Sequence, residues 1–234
     1  MKVSTRDLFG KVLAEALADQ VAAMALRCLV EYCRLVAQAP FAMSTSHLLL
    51  PVPAAERDQV LGLLKKHPLL SWDPQSGQVA FASAFLQERA ESESKLMRYG
   101  RVLNEWQPDA TASELRIALH KGVLLFNHHL FFEVHEILEA QWVKETGAVK
   151  RFLQGLIQIA VAFYHLENHN LRGAQSLLQD GLEKIAPHQP AFTGIELSPF
   201  VAHLQACQEE LLRLSPDSPV QSWAGLIPQM HFAL

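Results

Sequence analysis

Apolar residues dominate residues 11–38, KVLAEALADQVAAMALRCLVEYCRLVAQ, a run rich in Ala and Leu with neither Gly nor Pro. That pattern predicts one long helix or two abutting ones, closed by Pro40. A second helical segment, AAERDQVLGLLKKH, follows from Ala54 to His67 and is expected to stop at Pro68. The next stretch, LLSWDPQSGQVAFAS, carries two short apolar runs around Asp73-Pro-Gln-Ser-Gly77 and predicts a strand, a turn and a strand. Residues 83–105 are helical in pattern, with the charged QERAESESK segment exposed as a connector.

Pro108, in EWQPDAT, marks a boundary, and Thr111 or Ser113 can cap the helix that follows by accepting an otherwise unpaired backbone N–H. From there the pattern is helix after helix: 112–126, 128–145, 148–167, 171–185 and 198–214. Gly147 separates the second of these from the third, and ENHN separates the third from the fourth. The Pro/Gly-rich stretch 186–199 reads as a lid or a plain connection. The tail SPDSPVQSWAGLIPQMHFAL, with its three prolines and scattered apolar residues, is expected to pack on the surface without regular structure.

These elements predict a mainly α protein: a C-terminal antiparallel helical bundle preceded by a small helical domain with a β-hairpin, winged-helix-like in its order. The expected domains are 1–106 and 107–234. The candidate recognition helix, 54–67, carries Arg57, Lys65 and Lys66 but also Glu56 and Asp58. Such sparse basic character favours packing or protein contact over DNA reading, which stays as the weaker alternative.

Charge and composition narrow the classes further. The formal net charge is −4, which gives no general footprint for nucleic-acid binding. Cys28, Cys33 and Cys207 show no metal spacing, and their odd number argues against a disulfide framework, so a reducing, cytoplasmic setting is expected. The N-terminus carries Arg6, Asp7 and Glu15 early and does not read as a secretory signal. Apolar runs such as GLIQIAVAFYHL fall short of the roughly 20 residues that a membrane span needs.

Within this apolar background the stretch HHLFFEVHEILEAQW, residues 128–142, concentrates ionisable groups. A helix turns about 100° per residue, so His128, His135, Glu139 and Trp142 fall near one line, with Glu136 on the flank. Glu133 points nearly opposite and is expected to face solvent. The next helix repeats the arrangement, with Gln154, Gln158 and His165 within about 40° of one line and Arg151 beside it. A short connection at Thr146–Gly147 would set the two helices antiparallel, their polar stripes facing across a compact pocket.

Three readings fit such a pocket. An imidazole and a carboxylate one turn apart, His135 and Glu139, can both reach one divalent ion, with a Gln oxygen, His165 or water completing the shell. Alternatively Glu139 and His135 form an acid/base pair, with Arg151 orienting an anionic ligand, for a hydrolase-like activity at most. In the third reading the polar network only fixes packing and register. HEILE lacks the second histidine of the H-E-x-x-H zinc-protease motif, and the second helix offers no carboxylates for a di-iron bundle.

The runs FNHHLFFEVHEILEAQW and RFLQGLIQIAVAFYHLENHNLRGAQSLLQDGLEKI resemble the bacterial and archaeal family called domain of unknown function 309. The shared hallmark is H-x-x-x-E-x-x-W, here His135, Glu139 and Trp142, and the resemblance covers about residues 115–190. It implies an all-helical fold and a motif suggested to bind metal, with no established activity. The polar positions it carries over are Asn127, Glu133, His135, Glu136, Glu139, Trp142, Arg151, Gln154, Gln158, His165 and Asn170. The chain departs from the family pattern at His128-His129, where a small residue is usual. The expected ligand is thus an unidentified divalent metal or small polar molecule.

Overall fold

A computed structural model of the chain describes residues 5–36, 42–67, 69–82, 89–214 and 224–232. It is mainly helical, with small antiparallel sheets, and its contacts divide it into two compact units, Met1–Trp106 and Gln107–Leu234.

In the first unit the long N-terminal apolar run is two helices, α1 (Thr5–Ala16) and α2 (Gln20–Val36). The break falls at Asp19, whose carboxylate accepts the Ala22 N–H at 2.8 Å and so caps α2. Then come β1 (Ala42–Ser44), α3 (Thr45–Leu48), α4 (Arg57–Lys66), β2 (Leu70–Trp72), β3 (Gln78–Phe81) and α5 (Arg89–Glu105). The expected stops at Pro40 and Pro68, and the start of the 83–105 segment, lie outside the described residues. The hairpin forms where the sequence places it. The Asp73 carboxylate accepts the Gln75 N–H at 2.9 Å, and Gly77 takes a φ of 67° that side chains resist.

The hairpin is not alone. β1 pairs antiparallel with β3, Ala42 opposite Ala80, giving the strand order β1-β3-β2. Helix α2 lies at the centre of this unit, packed against α1, α4 and α5. Its Tyr32 is fully buried, meets Phe81 edge-on at 5.2 Å, and accepts the Phe81 N–H on its hydroxyl at 3.1 Å. That bond ties the sheet to the helical core, because a buried hydroxyl without a partner would be costly.

The second unit is built from α6 (Glu114–Asn127), α7 (Phe131–Trp142), α8 (Gly147–Glu167), α9 (Leu171–Ile185) and α10 (Ser198–Arg213), each packed on the next in sequence up to α9, with α10 on α9. Ser113 caps α6, its hydroxyl accepting the Arg116 N–H at 3.3 Å. The turns between helices are short and lean on left-handed residues: His129 (φ 56°), Gly147 (φ 58°) and His169 (φ 58°). Phe126, Phe131, Phe163 and Phe200 form an edge-to-face and stacked aromatic cluster at the centre, with ring separations of 5.2–5.6 Å. Helices α8 and α9 cross at Gly155 and Gly181, where an added Cβ on Gly181 would stand 2.8 Å from the Gly155 carbonyl oxygen.

Two expectations are corrected in this unit. The stretch 186–199 is more than a bare connection: it holds a 3-10 turn, Ala186–His188, and the strands β4 (Ala191–Phe192) and β5 (Ile195–Glu196). The tail is not wholly irregular either. It contains β6 (His231–Phe232), which pairs with β5 to give the order β4-β5-β6. Local pattern could not reveal these strands: two-residue strands carry no periodicity of their own, and β6 pairs with a strand more than 30 residues away, Ile195 opposite Phe232. No helix among the described residues is long and apolar enough to cross a membrane.

Candidate functional site

Helix α7 begins at Phe131, three residues later than the sequence pattern suggests. His128 therefore closes α6 as its C-cap and does not share a helix with His135. The expected line His128–His135–Glu139–Trp142 loses its first member for that reason.

His135 and Glu139 gather at the surface with Glu136. His135 Nδ1 lies 3.1 Å from Glu136 Oε1, and His135 Nε2 lies 3.5 Å from Glu139 Oε2. One imidazole is thus held between two carboxylates on a single turn of helix, and one ligand atom from each residue falls within 4.8 Å of the others. The His135 side chain is 27% exposed and both glutamates 52%, so the cluster sits at the rim of the bundle and not inside it. Phe132, with its ring centroid 6.0 Å from that of His135, and Tyr164, 5.9 Å from Phe132, continue the same surface. These two aromatics are site neighbours that the sequence reading left out. The signal was present, since Phe132 and His135 are three residues apart and so neighbours on a helix.

Glu133 is the clearest reversal: only 3% of it is exposed, although helical phase placed it toward solvent. That phase argument assumes one buried face. Helix α7 packs on α6 on one side and on α8 on another, so its covered surface is wider than a single stripe. As an acidic residue in the first turn, Glu133 also lies where the helix dipole favours negative charge.

The polar stripe of α8 does not close over His135 and Glu139. Gln154 and Arg151 are exposed. Gln158 Nε2 donates to Asp180 Oδ2 on α9 at 3.5 Å, while its Oε1 is buried without a hydrogen-bond partner among the described residues. His165 Nδ1 pairs with Asn170 Nδ2 at 3.1 Å, and Asn170 Oδ1 accepts the Gly173 N–H to cap α9. Trp142 carries the Lys150 ammonium 4.4 Å above its ring, and its indole N–H is buried without an acceptor among the described residues. Asn127 bonds the backbone of Met230, so its amide is already matched. The expected interior pocket is therefore replaced by a rim triad on α7 and separate capping and packing contacts along α8 and α9.

Fold and site together define a mainly helical unit that displays a His-x-x-x-Glu turn, with a further glutamate, at its surface. Residues 119–177 of this unit match the family described as a domain of unknown function, DUF309. The chain is also similar to a protein of Bacillus subtilis (strain 168) called Uncharacterized protein YpuF, 31% identical over 88 residues. That alignment takes in 36% of this chain and 51% of the Bacillus protein, so the chain spans about half the length of the curated relative it matches.

Proposed function

We propose that His135 and Glu139 hold a divalent cation at the rim of the helical unit, with Glu136 orienting the imidazole, and that the bound ion presents open positions to a small polar ligand. The observation that carries this reading is the meeting of three ligand-type atoms within 4.8 Å on one helical turn. One imidazole nitrogen with carboxylate oxygens suits zinc, manganese or iron(II) better than calcium, which takes an all-oxygen shell. An imidazole gives one nitrogen to an ion. The arrangement then favours Nε2 and Glu139 as ligands, with Nδ1–H donating to Glu136 to fix the ring, the division of labour common around metal-bound histidines. Titration of the metal-stripped protein with Zn²⁺ or Mn²⁺, followed by calorimetry, tests it. His135→Ala should abolish the binding heat and Glu139→Gln should weaken binding at least about tenfold; undiminished binding in both variants would remove the proposal.

A second reading concerns the other unit. The placement of α3 and α4 between β1 and the β2–β3 hairpin, with strand order β1-β3-β2, supports a winged-helix-like interaction module. Exposed Lys65 and Lys66 at the end of α4 are balanced by exposed Asp58, and Arg57 turns its Nε to the Val52 carbonyl at 3.0 Å. This favours protein contact over duplex binding. Salt-sensitive binding to duplex DNA at low ionic strength would reverse that preference.

A further inference from the structure

The family resemblance marks Asn127, the last residue of α6, as a ligand candidate, yet its amide is committed to main chain. Nδ2 donates to the Met230 carbonyl at 2.9 Å, and Oδ1 accepts the Met230 N–H at 2.8 Å. A primary amide that meets both polar groups of one residue reproduces the pairing a neighbouring strand would give. It recognises extended backbone whatever the side chain.

Side-chain chemistry is read on either side of that clamp. Met230 is 3% exposed. Two residues on, the Phe232 ring stacks on His120 with centroids 5.1 Å apart and planes 5° from parallel, while the Arg116 guanidinium lies 5.0 Å from its centroid. Gly194 leaves the room this ring uses, since a Cβ there would come within 3.3 Å of it. The β5 edge adds ladder pairing, Ile195 opposite Phe232 and Glu196 opposite His231. Between α10 and residues 225–229 a cleft of about 450 Å³ remains, reaching Pro199, His203 and Cys207. The tail is thus gripped at discrete points without filling the space beneath it.

We propose that the groove formed by α6 and β5 is a peptide-recognition site for an extended segment carrying Met and, two residues later, an aromatic ring, and that the chain's own Met230–Phe232 is its resident, displaceable ligand. The partner is a protein that presents such a segment. The seated tail defines its chemistry: a main-chain donor and acceptor for Asn127, an apolar side chain at the Met230 position, and a π face for Arg116 and His120. Tethering gives the tail a high local concentration, so a free segment must compete with it. A two-residue strand holds few ladder bonds and belongs to the part of a fold that opens locally, ahead of the helical core. The groove shares no residue with the His135 triad, and its test is independent of metal.

The test uses the full chain and a fluorescent peptide with the sequence of residues 227–232, Ile-Pro-Gln-Met-His-Phe. Phe232→Ala in the chain loosens the resident tail and should raise peptide affinity at least about tenfold over wild type, while Asn127→Ala added to it should remove the gain. A folded Phe232→Ala chain that binds no better than wild type would overturn the proposal. Amide exchange on the wild-type chain keeps the question open to refutation if that variant fails to fold. The Met230 N–H should exchange at least about tenfold faster than the amides in the middle of α8, through local opening. Exchange only together with those amides would show the tail to be an inseparable part of the core, and would equally overturn it.

Discussion

His67, at the end of α4, is a half-buried imidazole whose Nδ1 accepts the Leu69 N–H at 3.3 Å and whose covered Nε2 has no partner among the described residues. Burial pushes its pKa from 6.5 down to about 4, so the folded chain takes up this proton at lower pH than the unfolded chain does. The group's contribution to stability is therefore complete above about pH 6.5 and is lost as pH falls toward 4, by at most about 3 kcal/mol. His67→Gln keeps an acceptor for Leu69 but has no proton to gain. Urea midpoints measured at pH 7 and pH 4.5 should lie closer together in this variant than in wild type; an equal fall in both would contradict the assignment. Cysteine chemistry is expected to be equally silent. Burial raises the Cys28 thiol to about 11 and the Cys207 thiol to about 12, so neither should react with a thiol reagent at pH 8 until the chain is unfolded. At this scale the sequence placed His135 beside Glu139, because four-residue spacing on a helix is local geometry, and left Glu136 on the flank, where the structure turns its carboxylate back to His135 Nδ1. It misjudged Glu133, because burial depends on which helices cover α7, and residue spacing along one helix does not contain that information.

Among elements, the five C-terminal helices and the β2–β3 hairpin were legible from apolar pattern and turn residues, to within three residues at their ends. The strand β1 was not. Its three residues carry no periodicity of their own, and they become a strand only by pairing with β3. The sequence allowed for two abutting helices in the N-terminal run but did not locate the break at Asp19, since one capping carboxylate in an Ala-rich run looks like any exposed acid. Glycine gives the most direct test of element packing. Gly181→Ala would drive a Cβ to 2.6 Å from Ile159 Cγ1 at the α8–α9 crossing, and should destabilise by roughly 1–3 kcal/mol. Gly62, inside α4 with open space around it, offers the opposite case: Gly62→Ala should stabilise by about 0.5–1 kcal/mol. Thermal unfolding of the two variants should move in opposite directions, and a rise in both would show that helix propensity, not the crossing, sets them.

For the whole molecule, two units carry different chemistry. The N-terminal unit ties a small sheet to helices through Tyr32 and offers no cluster of ligand-type side chains among its described residues. The C-terminal unit carries the family match and the His135 triad, in a bundle whose core is apolar and aromatic. The sequence located His135 and Glu139 but buried them, because a helix rich in Phe, Leu and Ile reads as covered on most sides. The bundle instead leaves the Glu136 and Glu139 side of α7 open to water. A rim position is consistent with an ion that must exchange ligands with solvent. It also makes the site tolerant of substitution, so a lost function can be told from a lost fold. The measurement that decides the central claim is calorimetric titration of metal-stripped protein with Zn²⁺ or Mn²⁺, run beside thermal unfolding of wild type and Glu139→Gln. The account expects one binding event per chain in wild type, a melting temperature that rises with added ion, and at least about tenfold weaker binding in a Glu139→Gln chain that melts as wild type does without metal. Wild-type protein that takes up no ion, and whose melting is unmoved by any of them, would contradict it.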